Sequence, residues 1–447
     1  MHAMFIHPNF PAQFGHIAEY LKRQRGWECT FITSIDTTHL KGQVPFVHAN
    51  YHIGPRAKQQ LTFGFPPGTG PVGYYEIVEG PRPKTFYNPG TIIEMIEHMN
   101  AIYRGLRQAP RIKPDIVIGH MSYGSMLYLR NLYDCPFVGY FELLPPPFWS
   151  KELALRPEFP PTEESRISNA TYHTFTYLHL HACDAGYTPT YFQLNTAPAE
   201  LRYKLRVIFD GIDCNVFQRR AIPRPFEFLG RTIGSGTRVL TYVSRGLESA
   251  RGFDIFMKVA KRVTETLGDV LVLIAGDDRT NYGHEKPHIG KQTFKEFVLS
   301  QDKYDLGKIH FLGRIPLKDL STLYSLSDLH IYLTTPWVLS WSMMQAMANG
   351  CVVLGSATAP VEEVIRHEQN GLLADFYDVD GLAKQAIEVL RDPPRYRYLG
   401  EAARQTILDG YEKERCVEQL VAYFHEVMDR RRAGPDRAVG SPDPTGS

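Results

Sequence analysis

Short apolar runs alternate with segments whose apolar residues recur every three or four positions, and the alternation appears twice along the chain. Residues 3–7 predict a strand, and 13–22 follow with Phe14, Ile17, Ala18 and Leu21 on one face, which is the helical period. Further strands are predicted at 28–34, 115–119, 136–141, 185–188 and 206–209, with helices at 91–106, 123–132 and 165–183. Residues 39–90 break the rhythm, and within them 64–90 is dense in Gly and Pro and reads as irregular loop. A second block predicts strands at 238–244, 269–275, 309–312, 328–333 and 351–354, with helices between them such as 254–267. Residues 210–236 lack an apolar period, hold Pro223, Pro225, Gly230, Gly234 and Gly236, and read as a linker. Strands spaced by helices imply parallel sheets covered on both faces. The fold class is therefore α/β, with two doubly wound Rossmann-like domains facing a central cleft. The expected domains are 1–215 and 216–414, followed by an amphipathic helix at 415–430 that packs back on either domain, the N-terminal one first, and a disordered tail at 431–447. Ligands of such sheets bind beyond the carboxyl ends of the strands.

Composition narrows the function classes. Lys and Arg total 49 against 48 Asp and Glu, so the net charge is +1 and no basic excess exists to neutralise a nucleic-acid backbone. Six cysteines without a C-x-x-C spacing argue against a zinc knuckle, a redox pair or a disulfide framework, and point to a reducing, cytoplasmic setting. The first residues carry no signal-peptide pattern, and no apolar run reaches the ~18–20 residues of a membrane span. The basic run Arg430–Arg432 reads as a solvated helix end, with contact to anionic lipid as its other reading.

Several familiar chemistries fail on spacing. Gly234-Ser235-Gly236 precedes a strand rather than following one, so no dinucleotide fingerprint is present, and there is no P-loop or H-E-x-x-H. His179 and His181 lie two apart on a predicted helix and do not share a face, so no metal site is expected there. The informative string is Ser244-Arg245-Gly246-Leu247-Glu248-Ser249-Ala250-Arg251-Gly252, which puts two arginines on a Gly-containing loop at the end of a strand. Two fixed guanidinium groups clamp a diphosphate by bidentate hydrogen bonds, and the same pair also fits a surface loop with two solvated cations. A second string, Thr334 to Gly350, places Ser340 as a helix N-cap and Gly350 as its stop. The free N–H groups of that helix start favour an anion, and Gln345, one turn in, is placed for a ribose. An ordinary buried helix is the competing reading.

Together these segments resemble retaining glycosyltransferases of family 4, which have the two-Rossmann GT-B fold. Arg245 matches the family's arginine and Arg251 takes the place of its lysine; Gln345-Ala346-Met347-Ala348-Asn349-Gly350 matches E-A-M-A-x-G. Val207–Asp213 resembles the V-I-x-N-G-V-D hinge, and Phe311-Leu312-Gly313-Arg314 resembles the loop that holds the nucleotide base. Glu363-Val364-Ile365 and Asn370–Leu373 resemble E-x-I and N-G-L-L, and the opening His7–Phe14 resembles a subgroup beginning H-Q-N-F-P-G-Q-F. Two departures stand out. Trp337 occupies the position of the first glutamate of E-x7-E, which contacts donor-sugar hydroxyls in the family, and Gln345 occupies that of the second, which binds ribose.

The resemblance implies a hexosyltransferase that needs no metal and no cofactor beyond a nucleotide-diphosphate sugar, most often UDP-linked, and that retains the anomeric configuration. It implies Arg245, Arg251 and His120 as catalytic, with a satisfied structural histidine as the other reading of His120. Gln13, Phe14 and Gly15 are expected near the diphosphate from the N-terminal side. Gly246, Leu312, Gly313, Arg314, Trp337, Leu339, Ser340, Trp341, Ser342 and Gln345 complete the expected donor site. Glu142 is an acceptor candidate or part of a structural loop. The acceptor is unassigned, with 63–87 and the proline loop after Glu142 as candidate groove walls. A non-catalytic or regulatory nucleotide-sugar-binding protein of the same fold is the alternative, motivated by the two missing glutamates; the intact arginine pair argues against it. A phosphorylase or epimerase on this fold is a third reading.

Overall fold

The computed structural model describes residues 1–7, 10–33, 47–50, 59–64, 73–77, 92–121, 126–144 and 156–433. The chain divides into two compact units. The first comprises Met1–Phe148, Glu164–Asp210 and Cys416–Ser447; the second comprises Trp149–Glu163 and Gly211–Arg415.

The described residues of the first unit form a nine-stranded sheet. Its strands are β1 (His2–Ile6), β2 (Glu28–Thr33), β3 (Val47–Asn50), β4 (Gln59–Gly64), β5 (Gly73–Ile77), β6 (Ile116–His120), β7 (Phe137–Tyr140), β8 (Ala185–Thr188) and β9 (Leu205–Val207). Their order is β5-β4-β3-β2-β1-β6-β7-β8-β9, parallel except that β4 pairs antiparallel with both β3 and β5. Residues 39–90, where the rhythm breaks, therefore contain three strands, and β5 lies inside the expected irregular loop 64–90. Gly73–Ile77, inside the Gly- and Pro-dense part, carries two adjacent tyrosines, which suit a pleated surface once a partner strand is supplied. The helix expected at 123–132 is a 3₁₀ turn, Leu127–Asn131, in its described part.

In the second unit, β10 (Phe226–Phe228) and β11 (Arg231–Ile233) form a hairpin inside the expected linker. Leu229 and Gly230 both have positive φ, 47° and 77°, as a two-residue hairpin turn requires. Phe228 and Ile233 then bury against Val239, Leu271 and Leu273, which is why the segment folds despite its prolines. The main sheet has β12 (Arg238–Gly246), β13 (Val270–Asp277), β14 (Ile309–Gly313), β15 (Leu329–Tyr332), β16 (Val353–Ser356) and β17 (Leu372–Ala374), in the all-parallel order β14-β13-β12-β15-β16-β17. The three-residue β17 is too short to show a period and has no counterpart among the expected strands.

Both sheets reverse their strand order once, between β1 and β6 and between β12 and β15. Such switch points leave a crevice beyond the strand ends. The last helix, Lys413–Ala433, buries Val417, Leu420, Val421, Phe424, Val427 and Met428 in the same cluster as Ala3, Phe5 and Trp27 of the first unit. It carries residues 431–433 of the expected tail, and 434–447 lie outside the described residues. Its terminal arginines meet carboxylates: Arg430 pairs with Glu426, Arg431 with Asp134 and Asp184, and Arg432 with Asp429. No helix among the described residues is long and apolar enough to cross a membrane.

Residues 156–163, expected in the first domain, group with the second unit. Arg156 is the reason. Its buried guanidinium grips both oxygens of Asp254 at 2.9 and 2.7 Å and the carbonyl of Ser249 at 2.7 Å. Removing one partner of a buried pair costs about 3–5 kcal/mol, because the other charge stays behind. Arg156→Ala is therefore expected to destabilise the second unit by about that amount, read as a lowered urea midpoint in equilibrium unfolding.

Candidate functional site

The switch point of the second unit holds the expected arginines. β12 ends at Gly246, and a 3₁₀ turn, Ser249–Arg251, leads through Gly252 into the helix Phe253–Thr266. Gly252 has φ +60°, and a Cβ there would lie 2.8 Å from Leu333 Cβ, so the turn and β15 meet with no room for a side chain. This brings Arg251 across to the end of β15. Its Nη1 donates to Tyr332 Oη at 3.1 Å, Thr334 Oγ1 at 2.7 Å and the Val338 carbonyl at 3.0 Å. Arg251 is 7% exposed, and no carboxylate oxygen reaches it among the described residues. Burial works against the cation, but the surrounding Tyr332, Tyr282 and Glu248 outweigh it and hold its pKa above the ordinary arginine value. Nε and Nη2 have no acceptor among the described residues.

Arg245 is exposed, with Nη1 3.5 Å from Tyr282 Oη. Tyr282 also lies under Arg251, its ring centroid 5.3 Å from the guanidinium carbon, and 6.5 Å from the Trp337 ring. A buried carboxylate holds this tyrosine in place. Glu248 Oε2 accepts the backbone N–H groups of Asn281, Tyr282 and Gly283 at 2.6, 2.6 and 3.0 Å. Burial pushes the Glu248 pKa up, and the three N–H groups oppose that rise. Glu285, also buried, accepts from Ser249 Oγ at 2.5 Å and Thr280 Oγ1 at 2.6 Å, which binds the same two loops together. Gly246 is required where they touch, because a Cβ there would lie 2.3 Å from the Arg279 carbonyl.

The helix predicted from Ser340 is present as Trp341–Ala348, with Ser340 as N-cap accepting from Ser342 N at 3.2 Å. Gly350 follows at φ +75°. The Ser340 N–H donates to Tyr332 Oη at 2.9 Å, so the helix start and Arg251 meet on one phenol oxygen. Gln345 is buried, yet its side-chain amide has no partner among the described residues. Ser342 and Leu339 are buried, Trp337 is half-buried and Trp341 is exposed. Leu312, Gly313 and Arg314 close β14 at the far edge of the sheet, where Gly313 takes φ +64° and Arg314 is exposed.

The first unit carries a separate cluster at its own switch point. His120 ends β6, is fully buried, and sets Nε2 3.2 Å from Glu142 Oε2. The His7 ring stands edge-on at 5.0 Å and the Tyr140 ring at 5.1 Å. Tyr140 Oη donates to Asp210 Oδ2 at 3.1 Å. Of the expected donor contacts on this side, Gln13 is half-buried and Gly15 opens the helix Gly15–Arg25. Phe14 closes the 3₁₀ turn Ala12–Phe14 just before that helix and is buried, its ring 5.4 Å from that of Phe5. Pro8, Asn9, the side chains of 63–64 and 73–77, the rest of 63–87, and the proline loop 145–148 lie outside the described residues.

His179 is a core histidine, with Nδ1 2.8 Å from the Phe175 carbonyl. No group of three or more His, Cys, Asp or Glu is placed to hold a metal among the described residues. None of the six buried cysteines forms a disulfide. Glu248, Tyr282, Tyr332 and Thr334 escaped the sequence reading. They come from the ends of three different strands, and only the sheet order brings them together.

Known proteins place this arrangement. The family described as Glycosyl transferase family 4 group matches residues 71–217, and Glycosyl transferases group 1 matches 226–406. Over 224 residues the chain is 25% identical to the N-acetyl-alpha-D-glucosaminyl L-malate synthase of Bacillus anthracis, which covers 50% of this chain and 54% of that protein. Over 237 residues it is 23% identical to the D-inositol 3-phosphate glycosyltransferase of Corynebacterium urealyticum, covering 52% and 53%. The matched part spans about half the length of these curated relatives. A sucrose-phosphate synthase structure from Thermosynechococcus elongatus superposes with TM-score 0.65 at 16% identity, covering 96% of this chain and all of that one. The Anabaena HepE structure in complex with UDP-glucose gives 0.62 at 14% identity, covering 95% and 100%. With two parallel-sheet units, each built around a switch point, and both of its halves matched, the chain belongs to the family 4 glycosyltransferases and has their GT-B fold.

Proposed function

We propose that this chain is a retaining hexosyltransferase that moves a sugar from a nucleoside-diphosphate sugar, UDP-linked, to an acceptor hydroxyl without a metal ion. The observation that carries the reading is Arg251. A guanidinium buried on neutral oxygens, with Nε and Nη2 unengaged and no carboxylate on it among the described residues, is a site for an external anion. Arg245 and the start of the helix Trp341–Ala348 supply further positive potential, and the unpartnered Gln345 amide is available to a ribose. The HepE structure with UDP-glucose lends the fold a precedent for this donor.

In the proposed reaction the acceptor oxygen bonds to the anomeric carbon on the face from which the diphosphate departs. The C–O bond to the β-phosphate breaks, its electron pair stays on the phosphate, and the hydroxyl proton passes to that oxygen. Arg245, Arg251 and the helix start stabilise the charge as it develops on the leaving group. In the first unit Glu142 orients the His120 ring, and His120 is the candidate contact to the donor sugar. The cysteines, buried and free of disulfides, fit a cytoplasmic setting.

Trp337 and Gln345, standing where the family has glutamates, favour a second reading: nucleotide-sugar binding without turnover. Turnover separates the two. A radiolabelled UDP-sugar offered with an acceptor panel is expected to give product with the donor's anomeric configuration, measured by NMR. Arg251→Ala is expected to lower kcat/KM by about 10²–10³ while the chain stays folded by circular dichroism. Binding without product in every panel would establish the second reading. In calorimetric titration with UDP, GDP and ADP, binding of UDP alone, unchanged by EDTA, is the expected outcome. Metal-dependent binding would overturn the metal-free mechanism. Gln345→Glu is expected to tighten UDP binding by about tenfold, since a charged hydrogen bond is worth about 1 kcal/mol more than a neutral one.

A further inference from the structure

The phenol of Tyr332 poses a hydrogen-bonding problem that the residues around it leave open. Tyr332 ends β15 and is 2% exposed. Its oxygen accepts from Arg251 Nη1 at 3.1 Å and from the Ser340 N–H at 2.9 Å. A guanidinium and a backbone amide nitrogen can only donate, so neither takes the phenol's own proton. No described residue accepts it. The other deeply buried tyrosines of this unit behave differently. Tyr242 donates to the Arg251 carbonyl at 2.8 Å, and Tyr324 donates to the Ser342 carbonyl at 3.0 Å. Thr334, which shares Nη1 of Arg251 with Tyr332, passes its proton to the Thr335 carbonyl at 2.9 Å. Buried O–H groups find acceptors as a rule, and Tyr332 breaks that rule at the one point where Arg251 meets the helix start.

We propose that Tyr332 is a further diphosphate-binding residue, whose phenolic O–H donates to a phosphate oxygen of the nucleoside diphosphate held by Arg251 and the start of the helix Trp341–Ala348. The two N–H groups that Oη accepts draw electron density from the oxygen and strengthen the bond its proton makes. They also fix the ring oxygen from two sides, so the hydroxyl has one remaining direction in which to act. The assignment rests on the donor-site reading above and adds a residue that its motifs do not contain.

The test is calorimetric titration of the full chain with UDP, GDP and ADP, on the wild type and on Tyr332→Phe, Thr334→Val and Arg251→Ala. Thr334→Val removes an acceptor from Arg251 without removing an unsatisfied donor, and so sets the baseline for disturbing the arginine. Tyr332→Phe is expected to bind the nucleoside diphosphate about tenfold more weakly than Thr334→Val, with melting temperatures alike. Equal weakening in the two variants would mean that the phenol acts only through Arg251, and would overturn the proposal. So would wild-type affinity in Tyr332→Phe while Arg251→Ala loses binding. Failure of the wild type to bind any of the three nucleotides would defeat the donor-site reading itself, and this proposal with it. If Tyr332→Phe melts far below the wild type, a crystal structure of the unmodified chain with UDP decides. Tyr332 Oη at about 2.7 Å from a phosphate oxygen supports the assignment, and a water in that position overturns it.

Discussion

A cation taken out of water needs a counter-charge, and among the described residues no carboxylate touches Arg251; Glu248 acts on it only from a distance. Its three near contacts are a phenol, a threonine hydroxyl and a backbone carbonyl, all neutral. Neutral oxygens orient a guanidinium but do not discharge it. The remaining positive potential is concentrated at the switch point of the second sheet, where loops from β12 and β15 meet and a helix begins. Direct neutralisation by a neighbouring carboxylate would steady the protein and close the site. The two fully buried carboxylates nearby, Glu248 and Glu285, instead bind backbone amides and hydroxyls. Negative charge is present in the loops and is spent on their shape.

That shape is over-determined. The arginine loop is held from the β13 side through Glu248 and Glu285, and from the other side by Arg156, which grips the carbonyl of Ser249 and the carboxylate of Asp254. The turn that carries Arg251 lies between those two grips. Glycines at 246, 252 and 276 let the backbones approach to distances that no side chain would permit; a Cβ on Gly276 would sit 2.4 Å from the Ser244 carbonyl. Rigid support of this kind lets a buried charge stay where a ligand needs it instead of collapsing onto the nearest acceptor.

The sequence made the framework readable wherever chemistry and period coincide locally. The two parallel sheets follow from apolar runs spaced by helical periods. Ser340 as a cap and Gly350 as a stop are single-residue signals, and both appear in the structure. The arginine string is legible because both cations stand close together in the chain, Arg245 at the end of β12 and Arg251 in the turn after it. The short pieces escaped: β10 and β11 are three residues each, and their hairpin is recognisable only once the sheet offers Val239 and Leu273 to pack against. Phe14 belongs to a family motif, and its burial at the start of the helix Gly15–Arg25 agrees with the apolar face that its spacing to Ile17, Ala18 and Leu21 predicts. Tyr332 and Tyr282 carry no local signal. Each matters through a neighbour some 30 to 80 residues away in the chain, as the separations to Arg251 show.

The path of the chain through its two units has a consequence for anyone who would exchange parts between related enzymes. The chain leaves one unit for the other after residues 148, 163, 210 and 415. The stretch that holds Arg156 is thus encoded far upstream of the loop it braces, within the half of the gene that specifies the first sheet. A chimera cut once, near the start of the second sheet, would inherit an arginine loop from one parent and its brace from the other. Two parents can therefore recombine cleanly at that boundary only if they agree on how residue 156 meets residues 249 and 254, so the module that shapes the Arg251 loop is discontinuous in the gene.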